Sequence, residues 1–213
     1  MPDSESLNHI PRRLIYFPIV HTLADMGGLG KTVLQKNLQK FGLKVLIDKY
    51  KSIESIWSYT EQVAEVLPLE WGKVRLYQDG LPVCGREREI VTDLAQAGSR
   101  NHQLLLRLIH KGATLMGTES AELLLLEYQI ARQALAPEGT VPLSQKSPAT
   151  QSRGADPLLE HRDQFIAKRI NETLLPGEVG ILFLGMLHSL EGLLDQDIGV
   201  EFPLYQPLSS SRG

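Results

Sequence analysis

The chain has 213 residues, with 22 Lys plus Arg against 25 Asp plus Glu for a net charge of -3, and 42% of it is hydrophobic. That length and apolar share exclude wholesale disorder and suit one ordinary domain; the near-neutral balance, without a local basic patch, excludes nucleic acid as a partner. The single cysteine, Cys84, excludes an intramolecular disulfide and fits a reducing, cytoplasmic setting. Met1 to Pro11 has no apolar core of a secretory signal, and the longest apolar stretch, Val179 to Leu187, is well short of the roughly 18 residues of a membrane span.

In chain order, short apolar runs predict strands at Leu14 to Val20, Lys44 to Ile47, Lys73 to Tyr77, Ala113 to Met116, Val179 to Leu184 and Gly199 to Phe202. Most are continuous rather than alternating, as in strands covered on both faces of a parallel sheet. Between them, amphipathic patterns predict helices over Thr32 to Phe41, Ser55 to Leu67, Arg86 to Ala97, Arg100 to Lys111, Ser120 to Ala134, Leu158 to Leu174 and Ser189 to Leu194. The alternation predicts a single α/β domain over residues 1–213, a mostly parallel sheet flanked by helices. Pro18 inside the first strand calls for a bulge. Pro137 to Pro157, rich in Pro, Ser, Gly, Gln and Thr, is expected to be a long flexible insert or a lid, and Ser209 to Gly213 a tail. The row Leu123 to Leu126 is either core or a contact between copies in a homo-oligomer.

Gly27-Gly28-Leu29-Gly30-Lys31-Thr32 ends like a phosphate-binding loop, whose backbone N–H groups cradle phosphates. The glycine such a loop needs five residues before its last one is here Asp25, and His21 to Ala24 separate the loop from its strand. Nucleotide binding through residues 27–32 is therefore an alternative rather than the leading expectation.

In open α/β sheets ligands bind beyond the carboxyl ends of the strands. The first predicted strand delivers His21 and Asp25, the second Asp48, the third Asp79, the fourth Thr118 and Glu119, and the fifth His188. Imidazoles with carboxylates suit acid–base work or a divalent metal. His21, His188, Asp163 and Glu119 are the candidate catalytic groups, Asp25, Asp79, Thr118 and Arg162 the candidate substrate contacts, and His21, His188, Asp48 and Glu122 the candidate ligands of a divalent metal. Glu119 and Glu122 also suit the first turn of a helix, where the dipole favours negative charge. Asp163 falls in the apolar stripe of Leu159, Ile166 and Ile170; a carboxylate there needs a partner, either Arg162 or backbone N–H groups, or it orients His188 or His21.

Three segments carry a family resemblance: Pro18-Ile19-Val20-His21; Val45-Leu46-Ile47-Asp48-Lys49; and Arg162-Asp163 followed by a helix, a strand and Gly185-Met186-Leu187-His188. Over about a quarter of its length the chain resembles the TraB/Tiki-like superfamily, which includes ChaN-like and erythromycin-esterase-like proteins. It departs from that pattern at Pro18, where the family has glycine, and at Ile47-Asp48, where it has glutamate. The resemblance implies metal-dependent hydrolysis of a small-molecule or peptide substrate, carried by His21, His188 and whichever of Asp48, Glu119 and Glu122 approaches them. The alternative from a different class is a non-catalytic ligand-binding or regulatory module, in which every one of these carboxylates is satisfied by Arg or backbone partners.

Overall fold

Five of the predicted apolar runs form strands, and all five are parallel. In the computed structural model, which describes residues 11–25, 27–135 and 156–205, they are β1 (Arg12–Ile19), β2 (Val74–Gln78), β3 (Thr114–Met116), β4 (Val179–Gly185) and β5 (Ile198–Glu201). Their order in the sheet is β3-β2-β4-β1-β5. The central strands are aligned in register: β1 meets β4 from Arg13↔Val179 to Ile19↔Gly185, and β2 meets β4 from Val74↔Val179 to Gln78↔Phe183. Parallel strands in register end together, so the residues after β1, β2 and β4 emerge along one edge.

Helices cover both faces, which makes the fold α/β. They are α1 (Gly30–Glu65), α2 (Glu87–Gln96), α3 (Arg100–His110), α4 (Ala121–Leu135) and α5 (Pro157–Thr173). On one face Ile15, Phe17, Ile19, Leu76, Ile181 and Phe183 bury against Ile53 and Trp57 of α1 and Leu104, Leu105 and Leu108 of α3. On the other, Leu14, Tyr77, Leu182 and Leu184 bury against Ile166, Ala167 and Ile170 of α5. Alternate residues of each strand feed the two layers, so each strand is apolar on both sides.

Local chemistry sets the helix starts. Asp156 caps α5 by accepting from the Leu158 N–H at 3.0 Å, with Pro157 in the first turn, where its missing N–H costs nothing. Ser99 caps α3 by accepting from the His102 N–H at 3.3 Å.

The predicted strand Lys44 to Ile47 is instead part of α1, which runs on through a kink at Gly42 (φ 77°, ψ 164°). A four-residue apolar run is as compatible with one helical turn as with a short strand. Here Leu46 alone is buried, while Leu43, Val45 and Ile47 are exposed, a one-sided burial that a central strand does not have. Ser189 to Leu194 forms turns rather than a helix, since six residues around Gly192 are too few to repay nucleation. No bulge is needed at Pro18, because its pairing with β4 is continuous and β5 ends opposite Ile15. That side of β1 is edge-like, where a proline is tolerated. None of the α4 residues is buried; Leu125 and Leu126 are exposed and Leu123 and Leu124 half-buried, so the leucine row is not core. Except for Asp156 and Pro157, the predicted insert lies outside the described residues, as does the predicted tail. No helix among the described residues is long and apolar enough to cross a membrane.

Candidate functional site

The carboxyl edge of the sheet carries a chain of four side chains joined through imidazole rings. His21 follows β1, Asp79 follows β2, His188 sits on the turn after β4, and Asp163 projects from the buried face of α5. His21 Nε2 lies 2.9 Å from Asp79 Oδ2, and His188 Nε2 lies 3.6 Å from the same oxygen. The other nitrogen of His188, Nδ1, is 2.5 Å from Asp163 Oδ1, while Asp163 Oδ2 accepts from the Ser189 N–H at 3.0 Å. Asp79 Oδ2 also accepts from the Gly185 N–H at 2.9 Å. A Cβ on Gly185 would lie 2.8 Å from that oxygen and 3.5 Å from His21 Nε2, so glycine is what lets the backbone come this close.

Arg162, the residue before Asp163, ties the chain to a second acid. Its side chain is 6% exposed, and it donates to both oxygens of Glu119 at 2.6 and 2.7 Å, to Asp79 Oδ1 at 2.9 Å and to Glu127 Oε1 at 2.7 Å. Glu119 further accepts from the Gly80 N–H at 2.7 Å. Both Glu119 oxygens are thus occupied, and the guanidinium lies between the two buried carboxylates.

Proton affinities follow from these contacts. For Asp79, burial favours the neutral form, but the hydrogen bond and charge of His21 outweigh it and hold the carboxyl well below its ordinary range. Burial likewise disfavours the charged form of His21, yet Asp79 more than compensates, and the net shift is upward. Glu119 is pushed up by burial and by the Asp79 charge, with Arg162 pulling the other way. Arg162 is held cationic by Glu119, Asp79 and Glu127 against its own burial.

The sheet edge thus brings together His21, Asp79, His188, Asp163, Glu119 and Arg162 among the residues singled out from sequence. Asp48 does not join them: its predicted strand is helical, and it lies exposed on α1. Glu122 is exposed in the first turn of α4, where the helix dipole accounts for it. Thr118 is fully buried, its hydroxyl accepting from the Gln78 N–H at 2.8 Å and donating to the Met116 carbonyl at 3.2 Å, so it braces β2 against β3 instead of facing a substrate. Arg162 and Asp79 are buried within the cluster and serve it as its ionic frame. The contributions of Glu127 and of the Gly80, Gly185 and Ser189 N–H groups were missed, because side chains and turns distant in sequence meet only through the fold.

Asp25 belongs to a separate buried cluster. Its Oδ2 accepts from the Thr22 N–H and hydroxyl at 2.6 and 2.8 Å, and its Oδ1 accepts from the Ser99 hydroxyl. Ser99 Oγ in turn lies 2.7 Å from His102 Nδ1. Burial opposes ionisation of Asp25, but the hydrogen bonds from His102, Ser99 and Thr22 bring its pKa down to about 2. The Leu23 carbonyl packs so closely on Gly30 that a Cβ there would overlap the oxygen. A carbonyl oxygen thus lies against the start of α1, where a phosphate would need donors.

A divalent metal was expected at this edge, and one potential ligand atom from each of Asp79, Glu119 and His188 does fall within 4.8 Å of the others. The arrangement does not fit an ion there. Arg162 already takes both Glu119 oxygens and one of Asp79, and a cation placed beside it would meet a buried like charge.

Two cavities stand out among the described residues. The larger, about 800 Å³ and lined by Arg86, Glu87 and Thr114 among others, shares no residue with the His/carboxylate chain. The second, about 600 Å³, has His188 and Ser189 in its wall. Compared with protein-family models, with curated proteins and with solved structures, the chain matches none.

Proposed function

We propose that the protein is a hydrolase whose acid–base groups are His188 and His21. The observation that carries this is the pairing of each imidazole with its own buried carboxylate, Asp163 for His188 and Asp79 for His21, at the carboxyl edge of a parallel sheet. An acceptor at Nδ1 keeps the proton of a neutral imidazole on that nitrogen and leaves Nε2 with its lone pair. At 3.6 Å from Asp79, Nε2 of His188 makes no hydrogen bond to that carboxylate, and although only 4% of the side chain is exposed it lines the second cavity, so a water molecule there is the one whose proton Nε2 accepts. His21 has 38% of its side chain exposed, and its raised pKa keeps it protonated further up the pH scale. That suits it to donate to a departing group. Asp79 stays ionised beneath it, and Arg162 offsets the charge of Asp79 and Glu119. An imidazole that donates and one that accepts, held at one sheet edge, form an acid–base pair.

Hydrolysis involving these two histidines is also what the TraB/Tiki-like resemblance implies; the metal it adds is left out of the proposal because Arg162 occupies the carboxylates that would hold it. The test is turnover of uncharged chromogenic esters and amides by the purified protein, with metal analysis alongside. His188→Ala is expected to lower kcat/KM by about 10²- to 10⁴-fold, and a chelator to leave the wild type unchanged. Full activity in His188→Ala, or a stoichiometric metal lost on that substitution, would refute the assignment.

A further inference from the structure

The cavity beside His188 has a mostly apolar wall. Tyr16 and Pro18 alternate along β1 and so share one face of the sheet, and both are half-buried. Val200 and Phe202 close the β5 side, and Met186 and Leu190 come from the turn that carries His188. The Tyr16 and Phe202 rings meet with centroids 5.2 Å apart at 51°. Met186 is 67% exposed and Phe202 45% exposed, more apolar surface than a turn needs for its own stability. Among the described residues the lining includes no lysine or arginine, and its one carboxylate is Glu191.

Resting on the hydrolase assignment above, we infer that this cleft binds the apolar acyl group of an uncharged ester or amide, with the scissile carbonyl at the His188 end. An apolar wall stabilises an alkyl or aryl chain by roughly 0.8 kcal/mol per buried methylene. A phosphate or carboxylate ligand would meet no cation among these lining residues and would face Glu191. The cleft and the imidazole share the turn 186–190, so a chain seated on Met186 and Leu190 brings its carbonyl to His188. In the step itself, a water oxygen bonds to the acyl carbon and its proton passes to His188 Nε2. The acyl carbon–oxygen or carbon–nitrogen bond then breaks, and the departing alcohol or amine takes a proton from His21. The His188 proton is lost to solvent and His21 recovers its own, leaving a carboxylic acid and an alcohol or amine.

The test pairs a binding readout with a kinetic one. The uncharged dye N-phenyl-1-naphthylamine is titrated into wild type, Phe202→Asp, Met186→Asp and His188→Ala, and straight-chain p-nitrophenyl esters of increasing acyl length are assayed on the same proteins. Wild type is expected to bind the dye at one site and lose it to longer fatty alcohols before shorter ones. Both aspartate variants, made at exposed positions that leave the fold intact by circular dichroism, should weaken the dye by more than about tenfold, because a carboxylate would be desolvated in the cleft. They should also flatten the rise of kcat/KM with acyl length. His188→Ala should keep the dye while losing turnover. Dye binding with that chain-length order but no turnover in wild type upholds the cleft and removes the hydrolase assignment. Turnover that is lost in His188→Ala yet indifferent to acyl length, or dye affinity unmoved by both aspartate variants, overturns the cleft.

Discussion

Two clusters in this protein are built from the same residue types, and they differ in what they leave open. Asp25, Ser99 and His102 form a sealed knot: Asp25 has 5% and His102 6% of its side chain exposed, Ser99 is fully buried, and both oxygens of Asp25 and the Ser99 hydroxyl are hydrogen-bonded within the knot. At the sheet edge, Asp79 and Asp163 are equally well bonded and His188 is just as buried, at 4% of its side chain exposed, but His21 is 38% exposed and His188 lines a cleft. An aspartate beside a histidine therefore points to chemistry only where, as at this sheet edge, the pair also has access to solvent or a cleft. What separates the two is access: His21 has 38% of its side chain exposed and His188 lines a cleft, whereas the side chains of Asp25, Ser99 and His102 are all buried. That is a property of the surroundings rather than of the pair. The knot hydrogen-bonds the loop that follows His21 to Ser99, at the start of α3.

The contrast can be broken most severely at Arg162. Arg162→Met leaves Asp79 and Glu119 buried without their shared cation, and the expected loss is about 3 to 5 kcal/mol in urea unfolding. Arg162→Lys should recover only part of it, because one ammonium cannot span both carboxylates as the guanidinium does. A loss under about 1 kcal/mol in Arg162→Met would mean that the frame is not ionic.

Asp163→Asn should separate function from stability. It leaves α5 packed but removes the carboxylate that aligns His188, with an expected fall of about 10- to 100-fold in kcat/KM and little change in unfolding midpoint. An equal fall in Asp25→Asn would erase the distinction between the clusters.

Asp25 instead contributes through pH. Its folded pKa of about 2 lies below the ordinary 3.8, so its stabilisation is full above the unfolded value and drains away as pH falls from about 4 toward 2. The amount at neutral pH is about 2 kcal/mol. Asp25→Asn should lose that increment at neutral pH and show a flatter stability curve below about pH 4 than the wild type, as read from thermal melts across that window.

The smallest effect is expected at Ser99→Ala, which removes the α3 cap and one donor to Asp25 for about 1 kcal/mol. Ester turnover should be unchanged. A coupled fall in turnover would show that the knot positions His21.

Much of the site was readable from strand ends alone. Continuous apolar runs marked β1, β2 and β4, and the residues just past them are His21, Asp79 and His188. Asp163 was readable from its place in an apolar helical stripe, which required a buried partner. Asp48 was misplaced because Lys44 to Ile47 is too short for periodicity to tell a turn of helix from a strand. Asp25, Asp79, Thr118 and Arg162 were read as substrate contacts, whereas each is hydrogen-bonded to protein partners, since a sequence does not say whether a polar group faces inward or outward.

The order of apolar and amphipathic segments is enough to dictate parallel strands under two helical layers, because a strand buried on both faces must be apolar throughout and must return through a crossover. It also dictates that the polar residues after those strands collect on one edge. Only the tertiary structure decided which of them pair. The order β3-β2-β4-β1-β5 sets β4 between β1 and β2, so the turn that carries His188 emerges beside the ends of both neighbours, Asp79 Oδ2 comes within 2.9 Å of His21 and 3.6 Å of His188, and one turn of α5 offers Arg162 to Asp79 and Glu119, and Asp163 to His188. Such pairings join residues far apart in the chain through contacts of about 3 Å, and strand order and register, rather than local propensity, bring them within that reach.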